Sequence, residues 1–312
     1  MNVVDKMPLV SITIPSYNHG SYVKACIESI ILQDYANIEL IIIDDGSTDD
    51  SVLKISEMVD RCRARFHRFE FVHRPNKGLC ATLNEALEWA QGDYFSVTDS
   101  DDLLFPSKTS VLVLEIEGLS KVAGVFGGAE IINTDGSILN VIRPQCFTYE
   151  FSDILRRNKM MFSSCMLIRL DLMRLTGGYP KDLYIEDWYM WLKLTEGGDK
   201  LKVIAEPLIQ YRLHETNISK NVFKMFEARK EILNIFSHHQ GVPIIFAMIC
   251  LELSIELSRT SKRMSLKYIA QAITNSQAIL FKPFFWNAVA RLLAPVAILN
   301  VLAHFKRTFR QR

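Results

Sequence analysis

The sequence predicts an α/β fold, a mostly parallel sheet flanked by helices, with a C-terminal helical extension. Three observations carry that expectation. Short apolar runs alternate with helix-period segments through the first hundred residues. Those runs are nearly continuous in apolar residues, as strands covered on both faces are. From about Phe223 onward only helical patterns remain.

The elements follow in order. Leu9 to Ile14 reads as a strand, and Ser21 can cap a helix from Tyr22 to about Gln33. Glu39 to Ile43 is a second strand, ending in Asp44-Asp45-Gly46-Ser47, and a polar helix runs on to about Arg65. Phe69 to Val72 is a third strand. Gly78 to Gln91 is a helix with Leu79, Leu83, Ala86, Leu87 and Ala90 on one face. Tyr94 to Thr98 is the fourth strand. Pro106 suits the first turn of another helix. Ala123 to Ile132, the Asp135-Gly136 turn and Ile138 to Val141 form a hairpin pattern. Ser164 to Arg169 and Leu208 to Leu213 are further strands.

Parallel sheets bind ligands beyond the carboxyl ends of their strands. That rule puts Pro15-Ser16-Tyr17, Asp44-Asp45 and Asp99-Ser100-Asp101-Asp102 on one rim. Three carboxylates in four residues repel one another, and each raises its neighbour's pKa. A bound divalent cation removes the conflict. Mg²⁺ commonly joins one or two carboxylates to substrate phosphates, so a metal-diphosphate site is one solution. A solvated acidic turn with Asp102 capping the next helix is the other.

Four segments line up in chain order: Ser11 to Asn18; Ile42 to Asp49; Asn76-Lys77-Gly78 with Asn84 and Asp99 to Asp102; and Tyr184-Ile185-Glu186-Asp187-Trp188 with Tyr211-Arg212-Leu213-His214. Together, over about residues 9 to 214, they closely resemble the family 2 glycosyltransferases, inverting enzymes of the A-type (GT-A), Rossmann-like fold. The resemblance implies a nucleotide-sugar donor, with Pro15 and Tyr17 lining its base and Asp45 accepting a hydrogen bond from the uracil imide. Asn76, Gly78 and Asn84 match a donor-binding loop and helix. Asp99 and Asp101 match a D-x-D motif, in which Asp101 is the better ligand for Mn²⁺ or Mg²⁺ and Asp99 reaches the ribose or a metal-bound water. His214 matches a histidine that in some relatives reaches the metal or the diphosphate, and Arg212 a phosphate contact. Asp187 matches the catalytic base, with Glu186 orienting the site or the acceptor. One departure stands out: the family often has a basic residue just before the Asn84 position, and here it is Leu83.

Each residue also has a plain structural use. Tyr17 suits a half-buried loop aromatic, Asp44-Asp45-Gly46 a strand-ending turn, and Glu186-Asp187 a helix start that favours acids. A lone His214 after a strand suits a surface or core position.

Composition bounds the rest. At 49% hydrophobic and 23% charged residues the chain is an ordinary folded protein. The six cysteines are scattered, with no C-x-x-C pair, so zinc and redox motifs are absent and reduced thiols are expected. No phosphate-binding P-loop, dinucleotide fingerprint or nucleophile elbow occurs, which removes support for nucleotide hydrolysis, NAD chemistry and esterase chemistry. A net charge of +1 hides an asymmetry: from Leu257 to Arg312 there are ten Lys or Arg and no Asp or Glu. The remainder is acidic, so the two parts suit different partners.

The tail also carries Phe281-Lys282-Pro283-Phe284-Phe285-Trp286 and an uncharged run from Leu292 to Phe305. That run is shorter than the roughly 20 residues a spanning helix needs. An amphipathic segment on an anionic membrane surface fits it, as does a helical bundle with solvated charges. Nucleic acid is not an expected partner, because the catalytic part is acidic. No signal peptide precedes the first strand, which leads to an expected cytoplasmic location, peripheral to the inner face of the plasma membrane.

The expected organisation is a nucleotide-sugar-binding half (1–105), an acceptor-binding and catalytic-base half of the same domain (106–220), and a helical basic region (221–312). The leading function is metal-dependent, inverting sugar transfer from a nucleotide-diphosphate donor, expected to be a UDP-sugar, to a hydroxyl of a surface polysaccharide or lipid-linked oligosaccharide. The alternatives are a polyprenyl-phosphate sugar synthase and a catalytically silent scaffold that keeps the donor pocket.

Overall fold

A computed structural model describes residues 7–156, 161–214 and 221–299. It divides into two compact units, Met1–Asn217 and Ile218–Arg312. The first begins with β1 (Val10–Ser16), α1 (Val23–Ile31), β2 (Ile38–Asp44), α2 (Ser51–Ser56), α3 (Val59–Arg65), β3 (Arg68–His73), α4 (Leu79–Trp89) and β4 (Tyr94–Val97). It continues through β5 (Leu103–Leu104), α5 (Lys108–Ile116), β6 (Val122–Ile132), β7 (Ile138–Ile142), β8 (Phe147–Tyr149) and α6 (Phe151–Arg156). It closes with β9 (Met166–Arg169), α7 (Leu170–Leu175), α8 (Glu186–Glu196) and β10 (Lys200–Arg212).

One sheet runs through this unit in the order β3-β2-β1-β4-β9-β6-β10-β5, with β7 paired to β6 and β8 to β10. The first four strands are parallel. Every residue of β2 is buried, as expected of a strand covered on both faces. Glu39 within it is neutralised by Arg68 and accepts from Ser11 Oγ. Beyond β4 the sheet is mixed: β9 runs antiparallel to both β4 and β6, and β10 parallel to β6.

Register sets the rim. Ser16 stands opposite Asp44, and Thr13 opposite Val97. Asp45 N–H donates to Ser16 O at 2.8 Å and Thr98 N–H to Thr13 O at 2.9 Å. The chain therefore leaves β1, β2 and β4 side by side, and Tyr17, Asp45 and Asp99 emerge on the same edge.

Several local expectations need correction. Ser21 does not cap α1; the His19 carbonyl accepts from both Tyr22 and Val23 N–H, so a backbone turn starts the helix. The helix expected up to Arg65 is two, broken where Met58 N–H bonds back to Ile55 O. Asp102 caps no helix. It is fully buried, accepting from Ser164 Oγ at 2.6 Å and Arg212 N–H at 2.9 Å. Pro106 lies outside α5, two residues before it. Ser163–Cys165 forms a 3-10 turn, so β9 starts later than expected, and β10 starts earlier, at Lys200.

The second unit holds α9 (Val222–Ile235), α10 (Val242–Leu257), α11 (Lys262–Asn275) and α12 (Pro283–Leu293). α10 buries Ile245, Ile249, Cys250, Leu251 and Leu253 and leaves Glu252 and Glu256 exposed, as a helix packed in a bundle does. Ser254 and Ser265 meet in a buried hydroxyl pair at 2.9 Å between α10 and α11. Lys262 Nζ donates to Ala294 O at 2.7 Å and to Arg291 O, satisfying carbonyls at the end of α12. Among the described residues no helix is long and apolar enough to cross a membrane. Residues 300–305 of the apolar run, with Lys306, Arg307, Arg310 and Arg312, lie outside the described residues.

Candidate active site

The site is built from loops that leave the rim. Asp44 is buried and organises the turn after β2: its carboxylate accepts from Ser47 N–H at 2.9 Å, Ser47 Oγ at 2.6 Å and Ser16 Oγ at 3.1 Å. Gly46 holds φ +80°, and a Cβ there would lie 2.7 Å from Asn76 N, so this turn needs glycine. Asp45 accepts from Lys77 N–H at 2.8 Å and Gly78 N–H at 2.9 Å and pairs with Arg74. The predicted donor loop thus closes onto the predicted base-recognition carboxylate, with Asn76 Oδ1 also taking Gly78 N–H at 3.1 Å. Tyr17 is 48% exposed beside this turn, and Pro15 is half-buried.

A second loop joins that turn to the acidic motif. Asn18 N–H donates to Ser47 Oγ at 2.8 Å, and His19 N–H to Ser51 Oγ at 2.9 Å. His19 Nδ1 lies 2.7 Å from Ser100 Oγ. Its ring, with the Asp101 carboxylate and His214, forms a group whose ligand atoms all lie within 4.8 Å of one another. His214 Nε2 is 2.6 Å from Asp101 Oδ2. Burial lowers the His19 pKa, which favours the neutral imidazole that metals bind. Two imidazoles and a carboxylate fit a divalent transition ion such as Mn²⁺; of the ligands the sequence anticipates, Asp101 and His214 are in this group and Asp99 is not.

Asp99 is engaged by serines instead. Ser163 Oγ donates to its Oδ2 at 3.0 Å, and its own N–H donates to Ser164 Oγ at 3.0 Å. Burial, then the Asp101 charge, pushes its pKa up to about 6, with Asp187 adding to the rise. Glu186 is pushed up to about 8 by burial, then by Asp187, with a contribution from Asp99. Ser163, which donates to Asp99, also lines the cavity that holds Glu186 and Asp187, so the acidic motif and the acid pair border the same space. Glu186 and Asp187 open α8, where the helix N-terminus favours acids, and Asp187 Oδ1 accepts from Trp188 N–H. Both acids line a cavity with Leu83, Ser163, Tyr179 and Met190.

Other sequence-predicted residues act as struts here. Asn84 brackets the backbone of Tyr179, accepting from its N–H and donating to its carbonyl, each at 2.8 Å. That bond pair anchors the segment leading to α8. Arg212 is 6% exposed and donates to Asp101 O at 3.0 Å and Asn133 O at 3.1 Å. Its guanidinium sits 5.0 Å from the Tyr22 ring centroid. Leu83, at the position where a basic residue is common, is buried on the cavity wall. Sequence reasoning missed His19, Ser100, Ser163 and Ser164. For His19 a signal existed: it lies just past the carboxyl end of β1, on the rim already singled out.

A sheet whose carboxyl edge gathers a D-x-D carboxylate, two histidines and an acid pair at a helix start defines the class, a glycosyltransferase of the A-type fold. The chain belongs to glycosyl transferase family 2, whose sequence profile matches residues 11–173. It is 30% identical over 234 residues, 73% of this chain and 86% of the relative, to the UDP-Glc:alpha-D-GlcNAc-diphosphoundecaprenol beta-1,3-glucosyltransferase WfgD of Escherichia coli. Its fold is similar to that of S. aureus TarS 1-349 in complex with UDP-GlcNAc (TM-score 0.64, 17% identity, 91% of this chain and 88% of that one). It also resembles mannosyltransferase PcManGT from Pyrobaculum calidifontis in complex with GDP-Man and Mn2+ (TM-score 0.58, 18% identity, 95% and 88% covered).

Proposed function

We propose that this glycosyltransferase moves a hexose, with inversion, from a UDP-sugar to a hydroxyl of a lipid-linked oligosaccharide or growing surface polysaccharide. The observation that carries the proposal is geometric: Ser163, on the cavity that Glu186 and Asp187 line, donates to Asp99 Oδ2 at 3.0 Å, and Asp101, two residues on, lies within 4.8 Å of the His19 and His214 ligand atoms. The WfgD relative, named for UDP-Glc and a diphosphoundecaprenol acceptor, supports that choice of donor and acceptor.

In this reading the Asp45 turn and Tyr17 receive the base, while Asp99 lies toward the ribose. Asp101 and His214 would hold the cation, which would supply charge neutralisation to the diphosphate as a leaving group. Asp187 removes the acceptor hydroxyl proton as that oxygen bonds to the anomeric carbon and the bond from that carbon to the phosphate oxygen breaks. Glu186, carrying its proton, keeps a second charge away from the base. In the second unit Phe281 (88% exposed), Trp286 (60%) and Leu293 (77%) accompany exposed Arg263, Lys267 and Lys282. Apolar side chains among cations suit the headgroup region of an anionic leaflet, where the acceptor's lipid would reside.

A thermal-shift screen of nucleotide sugars with and without Mn²⁺ tests the donor. Ligands that bind only the folded chain raise its melting temperature. A UDP-sugar is expected to do so with Mn²⁺, and Asp101→Ala to abolish the Mn²⁺-dependent part. A shift only with other nucleotides, or one insensitive to Asp101, would contradict the proposal.

A further inference from the structure

We infer that His19 is a ligand of the same cation as Asp101 and His214, and that this nitrogen-rich set makes the site select Mn²⁺ over Mg²⁺. The inference rests on the metal-dependent function proposed above. It concerns a residue outside the acidic motif, on a different loop.

The geometry is that of a prepared ligand set. The ligand atoms of His19, Asp101 and His214 lie within 4.8 Å of one another, and the side chains of Asp101 and His214 are only 10% and 7% exposed. Each imidazole is held by neighbours other than the cluster. Ser100 Oγ lies 2.7 Å from Nδ1 of His19, and with the hydroxyl accepting from Nδ1–H the Nε2 lone pair is kept for a metal. The His19 backbone is tied to Ser51 at 2.9 Å, and the next residue, Gly20, donates to Asp49 Oδ2 at 2.9 Å. His214 stacks on Tyr22 with centroids 5.6 Å apart and planes 22° from parallel. The two histidine rings meet edge to face at 5.7 Å. His214 Nε2 already meets Asp101 Oδ2 at 2.6 Å, the spacing of two ligand atoms that face one site.

Chemistry then decides which ion. Mg²⁺ is hard, favours oxygen ligands in a strict octahedron and gives up water reluctantly. Imidazole nitrogens suit transition ions, with Mn²⁺ the weakest of the series and Co²⁺ tighter. A site with Asp101 alone would accept Mg²⁺ readily; each histidine shifts the balance toward Mn²⁺ and Co²⁺.

The test measures metal binding on the full chain in the presence of UDP, without turnover. Bound Mn²⁺ is counted by electron paramagnetic resonance, nitrogen couplings to it are resolved by pulsed methods, and Mg²⁺ affinity is read by competition. The wild type is expected to show two imidazole nitrogen couplings and to prefer Mn²⁺. His19→Gln should remove one coupling and weaken Mn²⁺ by roughly tenfold or more, with little change for Mg²⁺. His19→Asp, which restores an oxygen ligand, should bring Mn²⁺ and Mg²⁺ affinities closer together. Metal-free melting curves establish that each variant folds. If His19→Gln keeps both couplings and its Mn²⁺ affinity while Asp101→Ala loses Mn²⁺, the cation proposal stands and the role of His19 is wrong. If the wild type binds no Mn²⁺ with UDP, both are wrong.

Discussion

At the scale of single residues, Glu186 is set apart from an ordinary glutamate by its burial beside Asp187. Glu186 keeps its proton up to about 8, whereas an ordinary glutamate releases it near 4.5. Between those values the folded chain binds a proton that the unfolded chain lets go, so this contribution is full below the ordinary value and is lost as pH climbs toward 8. Glu186→Gln is neutral at every pH and removes that dependence. In metal-free buffer its stability relative to wild type should therefore rise between about pH 5 and pH 8.5 when measured by urea unfolding; a flat difference would show that Glu186 ionises normally. The acids themselves were legible in the sequence, because carboxylates at strand ends and at a helix start are local patterns. Their partners were not. Ser100 supporting His19, and Ser163 and Ser164 holding Asp99 and Asp102, depend on contacts across 62 or more residues of chain, and a serine carries no signal of its own.

At the scale of elements, the parallel half of the sheet was legible because β1, β2 and β4 are nearly continuous apolar runs followed by turn residues. The remainder was less so. The lengthening of β10 to Lys200–Arg212 is enforced by pairing with β6 and β8, a tertiary effect that overrides local polarity. Lys108 in α5 was also invisible as a core residue, since lysine is rarely fully buried. It is 0% exposed; its Nζ reaches Ser96 Oγ and lies 3.2 Å from Met166 O. Burial lowers its pKa to about 8. The protonated form is thus the costly one, and its burden lifts as pH rises from about 8 toward the ordinary lysine value. Ser96 Oγ donates to Met166 O at 2.7 Å, so removing the ammonium leaves neither group unpaired. Lys108→Met is expected to gain about 1–3 kcal/mol near neutral pH, with the gain shrinking as pH approaches about 10. Urea unfolding across that range measures it. A loss of stability at neutral pH would instead make the ammonium a net contributor.

At the scale of the whole molecule, two compact units carry different chemistry: an acidic, ligand-gathering sheet edge and a basic helical unit. The charge asymmetry was readable from composition, but the internal use of Lys262 at the end of α12 was not. The cations expected to meet a membrane are therefore Arg263, Lys267 and Lys282, which are exposed. Each contributes about 1 kcal/mol near an anionic surface. Full-length protein carrying Lys267→Glu and Lys282→Glu should partition onto phosphatidylglycerol vesicles at least roughly tenfold less than wild type, and more salt should weaken the wild type. Equal partitioning would remove the membrane from the account. The central claim, however, is that the cation group and Asp187 serve one reacting pair. Sugar transfer by Asp187→Asn, with UDP-sugar binding in Mn²⁺ followed in parallel, tests it most directly. The account predicts donor binding like that of wild type and transfer reduced by roughly 10² to 10⁴; transfer within threefold of wild type would contradict it.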